Sequence, residues 1–93
     1  MEPIQTRVFF GDRYVPLHAA LDTLGGKVEW DNVAKRATVH ANGKTILVKL
    51  GEVVVEANGT HYTLSQPPLV DDNVLYVPED FFMNVVGQNV QLA

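Results

Sequence analysis

The sequence predicts an α+β fold, a mostly antiparallel sheet of hairpins covered by two short helices, on three observations. A unit of strand, Tyr-Val-Pro, helix and glycine is written twice, at residues 13–25 and again 62 residues later at 75–87. Tyr14/Tyr76, Val15/Val77, Pro16/Pro78, Gly25/Gly87 and Val28/Val90 match without a gap. Asn-Gly stands between period-two runs at Asn42-Gly43 and Asn58-Gly59, the strongest short-range signal for a hairpin. Leu17, Ala20, Leu21 and Leu24 recur at i, i+3, i+4 and i+7, one apolar stripe of a short helix. What repeats is backbone punctuation and apolar spacing, while the polar residues differ between copies. That marks a structural pseudo-repeat (about residues 8–31 and 70–92) joined into one domain over residues 1–93.

Each element follows in order. Residues 4–10 read as a strand ending at a Gly11-Asp12 turn, with Arg13-Tyr14-Val15 as the next short strand. Pro16 is suited to the first position of a helix, where no N–H is needed, and Gly25-Gly26 supplies a left-handed stop. Lys27 to Trp30 alternates as a strand and Asp31-Asn32 opens a turn. A two-residue loop at Asn42-Gly43 pairs Ala41 with Lys44, His40 with Thr45 and Val39 with Ile46. The same counting about Asn58-Gly59 pairs Glu56 with His61, Val55 with Tyr62 and Val53 with Leu64. Pro67-Pro68 interrupts the sheet and belongs to a connection or an edge. Leu69-Val70 and residues 74–77 give another strand pair around Asp71-Asp72-Asn73. The second helix is expected from Pro78, with Glu79 and Asp80 in its first turn where the helix dipole favours acids, and with Gly87 as its stop. Residues 88–92 suit a final short strand.

The bulk properties set limits. Ninety-three residues bury about 60–65% of their unfolded surface, enough for one modest core without staples. Apolar content of 46% and charged content of 19% are those of an ordinary globular domain. Nothing approaches the ~20 apolar residues of a membrane span. No signal peptide is visible after Met1, which acidic Glu2 follows. With no cysteine, a disulfide scaffold and a thiolate metal site are excluded. The net charge of −4 is unevenly spread: residues 1–49 hold all seven basic side chains against five acids, and 50–93 hold six acids and no base. Such polarity favours head-to-tail contact with a copy or a neighbouring domain, although chance in a short chain is the plainer reading. An acidic chain without aromatic-basic interleaving argues against nucleic acid.

The order Tyr14-Val15-Pro16-Leu17, Leu24-Gly25-Gly26-Lys27-Val28-Glu29-Trp30-Asp31, Asn58-Gly59, Leu64, Pro67-Pro68-Leu69-Val70 and Tyr76-Val77-Pro78 resembles the copper amine oxidase N-terminal-like, or stalk, domain family, over nearly the whole chain. His18 and Asp80 stand where that family usually has arginine, and the end of the second copy, Val90-Gln91-Leu92-Ala93, lacks the Val-x-Trp-Asp finish. The first copy lacks part of the hairpin that normally precedes it. The resemblance implies a non-catalytic accessory module, common on secreted and cell-surface proteins of Gram-positive bacteria, which supplies neither copper ligands nor cofactor.

The residues agree with a non-enzymatic reading. His18, His40 and His61 lack metal-ligand spacing, and His61 opposite Glu56 reads as a cross-strand ion pair. Amine oxidase chemistry needs a tyrosine that follows an asparagine, whereas Tyr14, Tyr62 and Tyr76 follow Arg13, His61 and Leu75. Ser65, the only serine, has no flanking glycines. Glu79 and Asp80 suit a helix start, and Asp71-Asp72-Asn73 a turn without the spacing of a calcium loop. No metal or cofactor is therefore expected.

Aromatic residues are the better candidates for contact. Adjacent rings Phe81 and Phe82 point about 100° apart on a helix, so one is expected in the core and the other against a loop or partner. Phe9-Phe10 faces the same conflict on a strand, and Trp30 is a third candidate for exposure. The expected function is an accessory or interaction module of a bacterial secreted or cell-surface protein, acting as spacer, adhesion or protein-interaction unit, with a protein or cell-wall partner. Self-association through sheet edges or charge asymmetry is a further route. The alternative is a small glycan- or peptide-binding module using an aromatic surface at Trp30, Phe81 or Phe82.

Overall fold

A computed structural model describes residues 4–88. The fold is α+β, with nine antiparallel strands and two helices among the described residues, and the strands divide into two sheets. Strands β1 (Arg7–Phe9), β2 (Asp12–Pro16), β8 (Leu69–Asp71) and β9 (Val74–Pro78) form a four-stranded sheet in the order β1-β2-β9-β8. Strands β3 (Lys27–Asp31), β4 (Arg36–Ala41), β5 (Lys44–Lys49), β6 (Val54–Ala57) and β7 (Thr60–Thr63) form a five-stranded meander in sequence order. Both Asn-Gly hairpins take the expected register: Ala41 faces Lys44, Val39 faces Ile46, and Glu56 faces His61. Leu64 joins Val53 just past the ladder through its N–H, at 2.7 Å.

The core lies between the sheets. Period-two alternation sends Val15, Val77, Ala37, Val39, Ile46, Val48, Val55 and Ala57 inward, where they meet Leu17, Ala20 and Leu21 of helix α1 (Leu17–Leu24). Two glycines turn the chain from α1 into β3. Gly25 has φ +72°, a left-handed conformation that costs an L side chain strain, and the Gly26 N–H donates to the Leu21 carbonyl at 2.8 Å. At Gly26 space is the limit, since a Cβ would lie 2.9 Å from the His40 carbonyl oxygen.

Several local expectations are corrected. The first strand is shorter than residues 4–10 because Phe10 leaves it: with φ +53°, Phe10 forms a tight turn with Gly11, and its ring is exposed. Pro16 closes β2 and caps α1 from an extended conformation (φ −67°, ψ +117°), and is not the first helical residue. Pro78 likewise ends β9. The second helix is a single π-helical turn, Phe81–Val86, in which the Gly87 N–H reaches the Phe82 carbonyl at 2.9 Å. Asp80 precedes it without capping it; the carboxylate accepts the Ser65 N–H at 3.0 Å and faces the Ser65 hydroxyl at 3.4 Å. Gln88 is outside any strand, and the remainder of the strand expected over 88–92 lies outside the described residues.

Phe81 and Phe82 are both buried, at 0% and 2% exposure, so neither ring faces a partner. The turn is covered on both sides because both its ends are tied down. Asp80 holds its start to Ser65, while the Asn42 amide and the Lys44 ammonium donate to the Val86 and Val85 carbonyls at 2.9 and 3.0 Å. The two rings meet edge to face with centroids 5.2 Å apart.

Candidate functional site

Trp30 begins the site. It lies opposite Ala37, which lies opposite Val48, and both of these are buried, so the indole is on the inward face of the meander. An inward position would ordinarily be buried, yet Trp30 is 42% exposed. The reason is its place on β3, at the edge of its sheet, where the two sheets part. Facing it across the gap is Val70 on β8, the edge strand of the other sheet. Val70 pairs with Leu75 on that sheet's inward face and is itself exposed. Between them lies a cavity of about 360 Å³ lined by Trp30, Asn32, Lys35, Leu50, Val70 and Asn73.

The rim is held by a tight loop. The Val33 and Ala34 N–H groups donate to Asp31 Oδ1 at 3.0 and 3.1 Å, and Lys35 Nζ donates to Asn32 Oδ1 at 3.0 Å. Those two backbone donors, Ala34 first, hold the Asp31 carboxyl below the usual carboxylate range, and nearby Arg36 adds to the effect. The cavity thus combines an aromatic plane, an aliphatic wall, two amides and one ammonium. Such a surface binds by stacking, apolar contact and hydrogen bonding.

Of the three aromatics expected at a contact surface, Trp30 is half-exposed, whereas Phe81 and Phe82 are buried. Sequence reasoning missed Asn32, Lys35, Leu50, Val70 and Asn73, and no local signal marks them, because residues 30–35 and 70–73 meet only through the splay of the sheets. The histidines stand on separate elements: His18 Nε2 lies 3.6 Å from Asp22, His61 Nε2 lies 3.3 Å from Glu56, and His40 is exposed on β4. Among the described residues no group of three or more His, Asp or Glu side chains is arranged to hold a metal ion.

Tyr14 and Tyr76 serve packing on the other face of the four-stranded sheet. The Phe9 ring lies 5.3 Å from Tyr14 edge to face and 5.4 Å from Tyr76, and the Arg7 guanidinium sits 5.2 Å above Phe9 while pairing with Asp71 at 3.3 Å. The buried Tyr14 hydroxyl donates to the Pro67 carbonyl at 2.9 Å. Burial, with the carboxylates of Asp12 and Asp80 behind it, raises the Tyr14 pKa above that of an ordinary phenol.

The sequence model of one family, the copper amine oxidase N-terminal domain, matches residues 4–93. The chain belongs to that family. A copper amine oxidase N-terminal domain is an accessory unit and does not itself carry the oxidase chemistry. In this N-terminal domain the two residues that depart from the family's arginines have partners of their own. His18 faces Asp22 within α1, and Asp80 ties the π-helical turn to Ser65.

Proposed function

We propose that this domain is an interaction module of a bacterial secreted or cell-surface protein, a spacer or adhesion unit that contacts a protein or cell-wall partner through the Trp30 cavity. The observation that carries the reading is the half-exposed indole, turned inward at a gap between sheets where a purely structural tryptophan would be covered. Family membership supports an accessory role alongside it. The test is a binding screen against cell-wall polymers, oligosaccharides and the other domains of the parent protein, read by amide and indole chemical shifts. Perturbations centred on Trp30, Lys35 and Asn73, lost in Trp30→Ala, are expected. Uniform silence from a monomeric protein would leave only the spacer role.

A second reading, a small glycan- or peptide-binding module, is favoured by the composition of the cavity wall. One aromatic plane flanked by Asn32, Asn73 and Lys35 suits a ligand with an apolar face and a polar rim. Short oligosaccharides or peptides that shift the Trp30 indole signal would support it. Responses confined to other surfaces would sink it.

A further inference from the structure

We propose that two copies of this chain associate edge to edge through β3, antiparallel and centred on Val28. Two facts on the strand lead there. The first is which backbone groups are free. The tight turn at Asn42-Gly43, with φ +52° and +72°, makes Ala41 and Lys44 a hydrogen-bonded pair. Alternation along β4 then turns the backbone groups of Ala41, Val39 and Ala37 toward β5, and those of His40, Thr38 and Arg36 toward β3. Their partners Lys27, Glu29 and Asp31 are used up in that ladder. The N–H and C=O of Val28 and Trp30 therefore point outward, and among the described residues nothing pairs with them. Buried-face residues with unpaired backbone at a sheet edge form a template for strand addition.

The second fact is the charge pattern. Lys27, Glu29 and Asp31 project from the opposite, solvent face and are exposed. Pairing Val28 with Val28 of a second copy sets Lys27 against Glu29 twice, related by the two-fold axis. It also sets Trp30 against Gly26, which has no side chain to obstruct the indole. Centring the pair on Glu29 would oppose two glutamates between two Lys27–Asp31 pairs, and centring it on Trp30 would oppose Glu29 and Asp31 twice, so of these registers only the one centred on Val28 opposes no like charges. The other edges suit the role less. β1 and β8 have three residues each, and β7, Thr60-His61-Tyr62-Thr63, carries no opposite charges to match. Glu29 forms no ion pair within 4 Å among the described residues, which leaves it available to Lys27 of the second copy.

The proposal does not depend on a ligand at the Trp30 cavity, because the charges lie on the other face of the strand. It is tested by sedimentation equilibrium up to about 1 mM protein. The wild-type chain is expected to form dimers. Lys27→Glu alone and Glu29→Lys alone each convert two attractive pairs into two repulsive ones and should weaken the dimer about tenfold or more. Mixing the two single variants restores both attractive pairs in a heterodimer, and the double variant K27E/E29K restores them in a homodimer. A wild-type chain that stays monomeric overturns the proposal, as do single reversals that leave association unchanged or a mixture that fails to recover it. All the changes are at exposed positions. Should one single variant fold poorly, the double variant against the other single still reads the charge pairing.

Discussion

Val15 lies directly opposite Val77, with Tyr14 against Pro78 and Pro16 against Tyr76, so that the two Tyr-Val-Pro segments are each other's strand partners. Both valines are fully buried between the sheets. Each segment thus delivers a helical turn to the core from the middle of one sheet. Truncating either valine to alanine leaves a void that neighbouring strands cannot close, and should cost about 2–3 kcal/mol in urea unfolding. Because the side chains are cross-strand partners, the double variant should depart from the sum of the singles by about 0.5 kcal/mol or more. Strict additivity would mean that the pair is not a unit.

Tyr14→Phe separates the hydrogen bond from the packing. Losing donation to the Pro67 carbonyl should cost about 1 kcal/mol while the ring keeps its place against Phe9. The pH dependence has a definite sign. The folded pKa is raised, so this contribution is intact below the ordinary phenol value near 10 and disappears as pH rises through the folded value. The wild-type chain should therefore lose stability in alkali more steeply than Tyr14→Phe, as thermal melts at pH 8 and at about pH 11 would reveal.

Where alternation and turn chemistry act locally, the sequence was sufficient. Asn42-Gly43 and Asn58-Gly59 dictated their hairpins residue by residue, since two left-handed positions permit only one register. The apolar stripe of α1 and its Gly25 stop were equally plain. For the second helix, an angle of about 100° between adjacent side chains predicts one covered ring, whereas Phe81 and Phe82 are both covered because distant residues Ser65, Asn42 and Lys44 tie down the two ends of the turn. Phe10 reads as the last residue of a strand over 4–10, but the tight turn with Gly11 decides its conformation. The cavity was half legible. Trp30 stood out as an aromatic at a strand end, while Val70 and Asn73 reach it only because two sheets diverge, a relationship with no imprint on neighbouring residues.

The tip of the β4–β5 hairpin should govern the second helix. Asn42→Gly keeps the left-handed turn but removes the amide that reaches Val86, and Lys44→Met removes the ammonium that reaches Val85. Each change should cost about 1 kcal/mol, since a partly buried carbonyl loses its donor. Hydrogen exchange offers a more specific readout. The Gly87 N–H, bonded to the Phe82 carbonyl, should exchange faster in both variants while amides of β6 and β7 are unchanged.

The two glycines after α1 should fail in different ways. Gly25→Ala meets no atom within 4 Å and suffers only the left-handed backbone, a cost of about 1–2 kcal/mol. Gly26→Ala has an ordinary backbone but drives its Cβ against the His40 carbonyl, which must shift with β4. Its penalty should therefore be the larger, and its amide shift changes should extend to His40 and Ala41, whereas those of Gly25→Ala should stay at the helix end. Equal penalties with no response at His40 would contradict the close approach.

Asp31 offers the second pH test, at the acid end. Its carboxylate accepts two backbone N–H groups and holds the loop that carries Asn32 and Lys35 at the cavity rim. Because its folded pKa is lowered, the stabilisation is present above the ordinary carboxylate value near 4 and is lost as pH falls through the folded value. Asp31→Asn keeps an acceptor oxygen but removes the charge. It should be less stable than wild type at neutral pH, and the gap should close in acid, where the wild-type carboxyl is protonated as well. Urea midpoints at pH 7 and at about pH 2 check the convergence, and a carboxyl NMR titration should place Asp31 below the ordinary carboxylate range. If Asp31→Ala, which lacks the acceptor altogether, also reduces ligand-induced shifts at Trp30 while Asp31→Asn does not, the hydrogen-bonded loop rather than the negative charge presents the rim of the site.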